Sequence, residues 1–379
     1  MLIDEIGIKP VVNAAGTVTI LGGCLVEDEV LDAMREISKS FVDMSELHEK
    51  AGAFIAKLVG SEAAYVTSGA AAGLVLSLGA CMCEGNADLM HKLPHAEGII
   101  RNEVIVQKLH RNMYDHNLEL TGATIREIGS QTGTAKEDLQ LAIGARTAAV
   151  VYFAYDPQTG VLPLNEVIAL SHKMGIPVIV DAAAELPPKE NLTNYLKMGA
   201  DLVLFSGGKD IGAPSDTGII LGKRELIKRC MKLGPQSYEP YGSGRRVFIG
   251  RPMKTSKEDI VAFVAALRRY LTIDHSKKLE EWNRKTDFLL AQLAKSTKLK
   301  AKKITPGVPH NRPVCIPRIE IEFVDKQTSV EEFLAALRKL QPPIHAYALN
   351  GKLYLNAQCL KDGEEKIVVD GVLKLLSET

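Results

Sequence analysis

The segments I-P-V-I-V-D-A-A-A-E (Ile176–Glu185) and A-D-L-V-L-F-S-G-G-K-D-I-G-A-P-S-D-T-G (Ala200–Gly218) decide the reading of this chain. Each carries a short apolar run of strand length. The first ends at Asp181, and the second leads through Ser206-Gly207-Gly208 to Lys209. In an open parallel α/β sheet the carboxyl ends of neighbouring strands face one crevice, so Asp181 and Lys209 are expected in the same pocket. A lysine amine able to hold an aldehyde as a Schiff base, beside a carboxylate that keeps a pyridine nitrogen protonated, is the pair that pyridoxal 5'-phosphate (PLP) requires. Each residue has a plainer alternative. An Asp after a buried strand also serves as a helix N-cap, and a Lys in a Gly-rich turn can be a surface cation. The apolar strand ending at Phe205 and the small residues on both sides of Lys209 favour a pocket mouth. Desolvation there lowers an amine's pKa, as a Schiff-base lysine needs.

A third element is E-A-A-Y-V-T-S-G-A-A-A-G-L-V-L-S-L-G-A (Glu62–Ala80), which reads as strand, turn and helix. The helix starts near Ala70, and its first backbone N–H groups, over Gly69, Ala70 and Ala71, form an anion site. The hydroxyls of Thr67 and Ser68 add donors, and Ser206 is a further candidate phosphate ligand. Ser-Gly before a helix is also a routine cap. No G-x-G-x-x-G or G-x-x-x-x-G-K-[ST] run occurs, so nicotinamide and P-loop readings have no motif behind them.

This order of elements resembles the fold-type I PLP-dependent enzymes, the aspartate aminotransferase superfamily. V-V-N-A-A-G-T-V-T-I-L-G-G near the start, T-S-G-A-A-A-G-L, H-R-N-M-Y-D at 110–115 and I-G-R-P-M-K-T-S-K-E-D at 249–259 resemble the selenocysteine synthase-like branch, and within it the D-glucosaminate-6-phosphate ammonia lyase family. The resemblance runs from about Gly7 to Leu271. It implies an α/β fold of fold type I, with a mainly parallel seven-stranded sheet and a smaller α+β C-terminal domain. It also implies at least a homodimer, with the Gly242–Arg251 loop reaching toward the neighbouring cofactor. It assigns His110 to stacking on the pyridine face, although capping and supporting roles are open to a lone His. Arg111, Asn112, Tyr114 and Asp115 form a polar cluster from which some side chains are expected to reach the pocket. For the substrate, the resemblance points to Arg318, Arg251, Lys254 and Tyr155, with Arg245 and Arg246 nearby in sequence. Arginine suits a carboxylate because its planar fork matches two oxygens. One departure is P-P-I-H-A-Y-A-L-N-G at 342–351, which carries His345 and no arginine where relatives are expected to have one.

Composition bounds the rest. The chain has 379 residues, 46% of them apolar and 24% charged, with 46 basic and 46 acidic side chains in balance. That length supports two cores, and the neutral balance offers no field for nucleic acid or a membrane surface. The six cysteines are scattered apart from Cys81 and Cys83, and a lone C-x-C reads as core packing, so no metal site is expected. Asp4 and Glu5 read against a secretory leader, and no apolar run reaches the roughly 20 residues of a membrane span. A cytoplasmic enzyme acting on a small-molecule amine is expected.

The expected organisation is an N-terminal arm over 1–25, a large PLP-binding domain over 26–250 and a small domain over 251–379. Helices are expected at Glu27–Ser38, from Ser45 with Leu47, Phe54, Ile55 and Leu58 on one side, from Ser256 to about Lys278, and at Val330–Leu340. Strands are expected at Ala63–Val66, Glu103–Gln107, Ala123–Glu127, Ala148–Phe153, Pro177–Val180, Leu202–Phe205 and, hairpin-like, Thr217–Leu221. Arg318–Phe323 and Lys352–Asn356 read as strands of the small domain.

The resemblance implies an α,β-elimination that converts a β-hydroxy amino acid or amino sugar acid, such as D-glucosaminate 6-phosphate, to a 2-oxo acid and ammonia. In it, Lys209 takes the α-proton and Asp181 balances the charge on the ring. Racemase, aldolase and aminotransferase reactions share the same start. Selenium transfer to seryl-tRNA is opposed by the charge balance and by a chain that begins almost directly with V-V-N-A-A-G-T. A PLP-binding scaffold without turnover is the alternative outside catalysis.

Overall fold

Seven apolar segments build one sheet in the computed structural model, which describes residues 2–154, 159–241, 244–304 and 313–378, with backbone alone at 238–241 and 244–245. They are β1 (Ala63–Thr67), β2 (Glu103–Gln107), β3 (Thr124–Ile128), β4 (Thr147–Phe153), β5 (Val178–Asp181), β6 (Leu202–Ser206) and β7 (Gly218–Gly222). Every one matches an expected strand, with ends displaced by no more than one residue. The order across the sheet is β1-β7-β6-β5-β4-β2-β3, and β7 alone runs against its neighbours. Both faces are covered over the central strands, which are apolar on both sides rather than alternating with polar residues, whereas the edge strand β3, T-I-R-E-I, is largely exposed. Ile105, Val150, Val178, Val180, Val203 and Phe205 enter one core. Their chain neighbours Val104, Val106, Val151, Ile179 and Leu204 enter the other. With both faces sealed, polar groups are left to the strand ends, and that is where the candidate site residues lie.

The chain divides into two compact units, Val26–Thr272 and a second made of Met1–Leu25 with Ile273–Thr379. The helix expected to run from Ser256 to about Lys278 is two helices, Lys257–Thr272 and His275–Leu293. Asp274 explains the break: its Oδ1 accepts from Ser276 N at 3.0 Å and Lys277 N at 3.2 Å, which caps the second helix and ends the first. The first belongs to the larger unit because it packs on the helices Asp28–Ile37 and Met44–Val59. In Met44–Val59 the expected apolar side is also revised. His48, Ala51, Gly52, Ile55, Ala56 and Val59 are buried, while Phe54 and Leu58 are exposed. Gly52 sets this face, since a Cβ there would lie 2.3 Å from the Ala64 carbonyl oxygen of β1, so only the bare backbone lets the helix sit so close.

In the smaller unit, Leu299–Ile304, Arg318–Phe323, Lys352–Asn356 and Tyr347–Leu349 form an antiparallel sheet in that order. The edge strand L-K-A-K-K-I escapes sequence reading because its lysines give it the look of a solvated segment, a common guard for sheet edges. Glu320 gathers Lys302, Lys352 and the Tyr354 hydroxyl. Burial by itself raises a carboxyl pKa, but these hydrogen bonds outweigh it and hold Glu320 at about 2. The V-V-N-A-A-G-T motif belongs here too. Val12-Asn13 pairs in parallel with Ile344-His345. Asn13 Oδ1 accepts from Ala15 N and Gly16 N, and Gly16, at φ +95°, leaves room for Asn356.

Among the described residues, no helix is long and apolar enough to cross a membrane. Cys81 and Cys83 are buried in the second core, and burial pushes the Cys83 thiol up to about 12.

His48 is 3% exposed, meets the Gln236 side chain at 2.7 Å, and packs on the Tyr65 ring with centroids 5.1 Å apart. Burial lowers its pKa from 6.5 to about 4, so the folded protein keeps it neutral while the unfolded chain takes a proton below pH 6.5. Stability is therefore full above 6.5 and falls between 6.5 and 4, by at most about 1.4 kcal/mol per pH unit. Urea unfolding at pH 7 and pH 5 is expected to show His48→Gln losing less stability on acidification than the wild type by about 1–2 kcal/mol.

Candidate active site

Asp181 is the last residue of β5 and lies opposite Phe153 of β4 and Leu204 of β6. Its Oδ1 accepts from Ala183 N at 2.9 Å, closing a tight turn. It caps no helix, because the next one, Asn191–Lys197, begins ten residues later. Beside it, β6 ends at Ser206 and the chain enters a single wide turn, Gly207–Ile211, of π type, an arrangement frequent at functional sites. Within that turn Lys209 departs from helical geometry, with φ −111° and ψ −130°, and is half-buried.

Why the turn is possible follows from its glycines. A Cβ on Gly207 would lie 2.1 Å from Thr217 Oγ1 and 2.9 Å from the Phe263 ring, and one on Gly208 would lie 2.4 Å from Ser215 Cα. Backbone bonds from Gly207 N to Thr217 O (2.8 Å) and from Ala213 N to Gly207 O (2.9 Å) then pin both ends. The lysine is thus carried by a turn packed against its own return strand, and not by a loose loop.

The third element stands in register with the second. Thr67 at the end of β1 pairs with Gly218 at the start of β7, and Gly218 pairs in turn with Ser206. The helix Gly69–Cys83 starts immediately after, with Gly69 at φ +88°. Ser68 occupies the N-cap position without making a side-chain capping bond, so its hydroxyl is not spent as a routine cap. Thr67 differs from expectation: its hydroxyl donates to Gly69 O at 2.9 Å and shapes the turn from inside, at 2% exposure. The N–H groups of a 15-residue helix, the Ser68 hydroxyl and the neighbouring Ser206, which also makes no capping bond, form a donor set suited to a phosphate.

His110 ends the short 3-10 turn Lys108–His110 after β2 and is fully buried. The edge of one ring meets the face of the other between His110 and Tyr152 of β4, with centroids 4.5 Å apart at 86°. The polar cluster after it behaves differently from expectation. Arg111 pairs with Asp115 and with Glu127 (3.2 Å), Asn112 Nδ2 donates to His110 O at 2.8 Å, and Tyr114 is exposed. These residues satisfy one another. Sequence reading did not single out Tyr152, since an aromatic residue in a buried strand carries no signal beyond core packing.

The substrate candidates are spread. Arg251 is exposed and donates to Pro235 O at 3.1 Å, and Lys254 is exposed. Arg318, in the smaller unit, is buried and donates to Ile316 O at 3.1 Å and Pro313 O at 3.4 Å, with burial lowering its pKa. His345 lies on the Ile344-His345 strand of that unit, its pKa lowered by burial and by Arg338. Tyr155 and the side chain of Arg245 lie outside the described residues.

A carboxylate at one strand end, an amine in the adjacent turn, a buried imidazole and a helix N-terminus with free donors match the parts of PLP in kind: pyridine nitrogen, aldehyde, ring and phosphate. Gly218 is the test of that cradle, because a Cβ on it would lie 2.5 Å from Gly69 C and 2.7 Å from Ala70 N. Overpacking of this kind costs about 1–3 kcal/mol. Gly218→Ala is expected to raise the dissociation constant for PLP about tenfold or more in a fluorescence titration, with the far-ultraviolet circular dichroism spectrum retained.

Known proteins agree with this geometry. The chain is 31% identical over 377 residues to a 5'-C-glycyluridine monooxygenase-decarboxylase from Streptomyces sp, covering 96% of this chain and 90% of that one. It is 32% identical over 273 residues to D-glucosaminate-6-phosphate ammonia lyase from Salmonella typhimurium strain 14028s, covering 70% and 69%. A solved structure of D-glucosaminate-6-phosphate ammonia-lyase superposes over 100% of this chain and 98% of its own, with a TM-score of 0.82 and 26% identity. A NifS-like protein at 17% identity and a TM-score of 0.62 shares the fold. The aminotransferase class-V model matches residues 102–338, which run from β2 through the whole Asp181 and Lys209 region. By these matches the chain belongs to the aminotransferase class-V family and is a fold-type I enzyme whose cofactor is pyridoxal 5'-phosphate.

Proposed function

We propose that this enzyme catalyses α,β-elimination on a β-hydroxy amino acid or amino sugar acid, of the kind of D-glucosaminate 6-phosphate, releasing a 2-oxo acid and ammonia. The observation that carries the reading is the likeness, over the full chain, to the ammonia-lyase structure, with a lysine and a carboxylate at adjacent strand ends. When bound, PLP supplies an electron sink for the charge that develops at the substrate α-carbon. Asp181 holds a proton at the pyridine nitrogen, and the turn it closes with Ala183 fixes the carboxylate for that task. Lys209 Nζ takes the α-proton as general base. The Gly207–Ile211 turn keeps it half-buried at the strand end. His110 bears on the ring, and Ser68, Gly69, Ala70, Ala71 and Ser206 hold the phosphate, with Thr67 bracing the turn. Arg251, Lys254, Arg318 and Tyr155 are assigned to the substrate's anionic and hydroxyl groups. Water leaves across the α and β carbons and is regained when the nitrogen departs as ammonia, so the reaction needs no oxidant. A homodimer in the cytoplasm fits this reading.

One observation favours a second reading, an oxygen-dependent decarboxylation of an α-amino acid. The relative named for such chemistry aligns over nearly the whole of both chains, whereas the curated lyase aligns over about two thirds. The two differ in products. With D-glucosaminate 6-phosphate, the elimination yields 2-oxo acid and ammonia with no oxygen consumed, whereas the alternative consumes oxygen and releases carbon dioxide. Lys209→Ala and Asp181→Ala are each expected to lower kcat by roughly 10²–10⁴-fold, and only Lys209→Ala is expected to remove the visible absorbance band of the lysine-bound cofactor. Oxygen uptake with carbon dioxide release would replace the lyase reading with the second one.

A further inference from the structure

At the opposite end of the sheet, the starts of β5 and β6 and the residue after β7 open into a cavity of about 330 Å³. With about 3.3 Å of rise per residue, Asp201 and Ser206 are separated by roughly 16 Å, so this cavity is distinct from the Lys209 turn. Its charged lining is Arg101, Lys223, Arg229, His172, Glu84 and Asp201. The two acids are already committed. Asp201, 2% exposed, accepts from Val178 N at 2.7 Å, lies 2.8 Å from His172 Nε2 and 2.5 Å from Lys223 Nζ. Glu84 pairs with Arg101 at 3.5 Å through Nε, which leaves that guanidinium's two terminal nitrogens without an ion pair among the described residues.

Arg229 has neither an ion pair nor a hydrogen bond among the described residues, although it is half-buried beside Leu226 and Cys81. Two helix carboxyl ends meet here, at Glu84 and near Gly175, and such ends favour a cation nearby. Arg229 lies against Gly85, whose Cβ would be 3.6 Å from its Nε, yet bonds none of the terminal carbonyls. A half-exposed guanidinium with no protein partner among the described residues has its planar fork of donors open to an anion.

We propose that this cavity is a second ligand site, which binds the phosphate group of a small phosphorylated molecule between Arg229 and Arg101, with Lys223 at its rim. A phosphate accepts two parallel bonds from each planar guanidinium, and the cavity volume falls at the small end of those that hold compact ligands. The assignment is independent of the reaction proposed above, because none of these residues belongs to the Lys209 site.

Calorimetric titration of the PLP-loaded enzyme with inorganic phosphate and with D-glucose 6-phosphate tests it. Saturable binding is expected, weakened about tenfold or more by Arg229→Gln and by Arg101→Gln, less by Arg229→Lys, which keeps the charge but loses the paired bonds, and accompanied by an unchanged cofactor absorbance band. Tighter binding of the sugar phosphate assigns a phosphate monoester, and equal binding assigns free phosphate. Arg101→Gln carries the test if Arg229→Gln fails to fold. No saturable binding, or binding that both Gln variants leave intact, overturns the proposal.

Discussion

Backbone meets backbone where β7 begins, and the geometry of the candidate site depends on that approach. Gly218 lies so close to Gly69 and Ala70 that a single methyl would overlap them. Because Gly218 also pairs with both Thr67 and Ser206, the one position sets the start of the helix Gly69–Cys83 and the end of the strand leading to Lys209. Gly207 and Gly208 repeat the device on the other side of the turn, against Thr217 and Ser215. Rigid elements hold functional groups more closely than loops do, and here the rigidity comes from the absence of side chains.

The reversed direction of β7 follows from the same need. A parallel connection after Lys209 requires a crossover to the far end of the sheet, whereas the chain returns through residues 207–217 directly into β7, which pairs with β6. The return places Thr217 and Ser215 under the lysine turn and seals the core with Ile219 and Leu221 on one face and Ile220 on the other. Two covered faces leave polar chemistry only at the two ends of the sheet. One end gathers Asp181, Ser206 and the Lys209 turn. The other gathers Asp201 and its ring of cations.

Much of this was legible in the chain. Most strands of the central sheet are short apolar runs bounded by turn residues, a pattern that buried strands impose, and Asp181 and Lys209 stood out because their charge interrupts that pattern. The helix face of Met44–Val59 was not legible. Phe54 and Leu58 are more apolar than Gly52 and Ala56, yet the smaller residues face the sheet because close approach of β1 outweighs side-chain hydrophobicity there. The break at Asp274 was marked by a residue that favours caps, but the apolar spacing on both sides concealed it. The edge strand Leu299–Ile304 looked solvated because its lysines are there to stay outside.

Within the candidate site, residue type pointed to Lys209, Asp181 and the Ser68–Ala71 turn, and the family resemblance pointed to His110. Residue type did not show that the Thr67 hydroxyl bonds Gly69, or that the charges of the Arg111–Asp115 segment close on one another and on Glu127. It gave no sign of Tyr152 or Arg229. The sequence by itself determined which elements form and which chemistry their ends carry, because strand length, helix start and charge are local properties. Only the tertiary structure decided which donors remain unspent, because a hydrogen bond or ion pair between segments far apart in the chain consumes a group that looks available in the sequence.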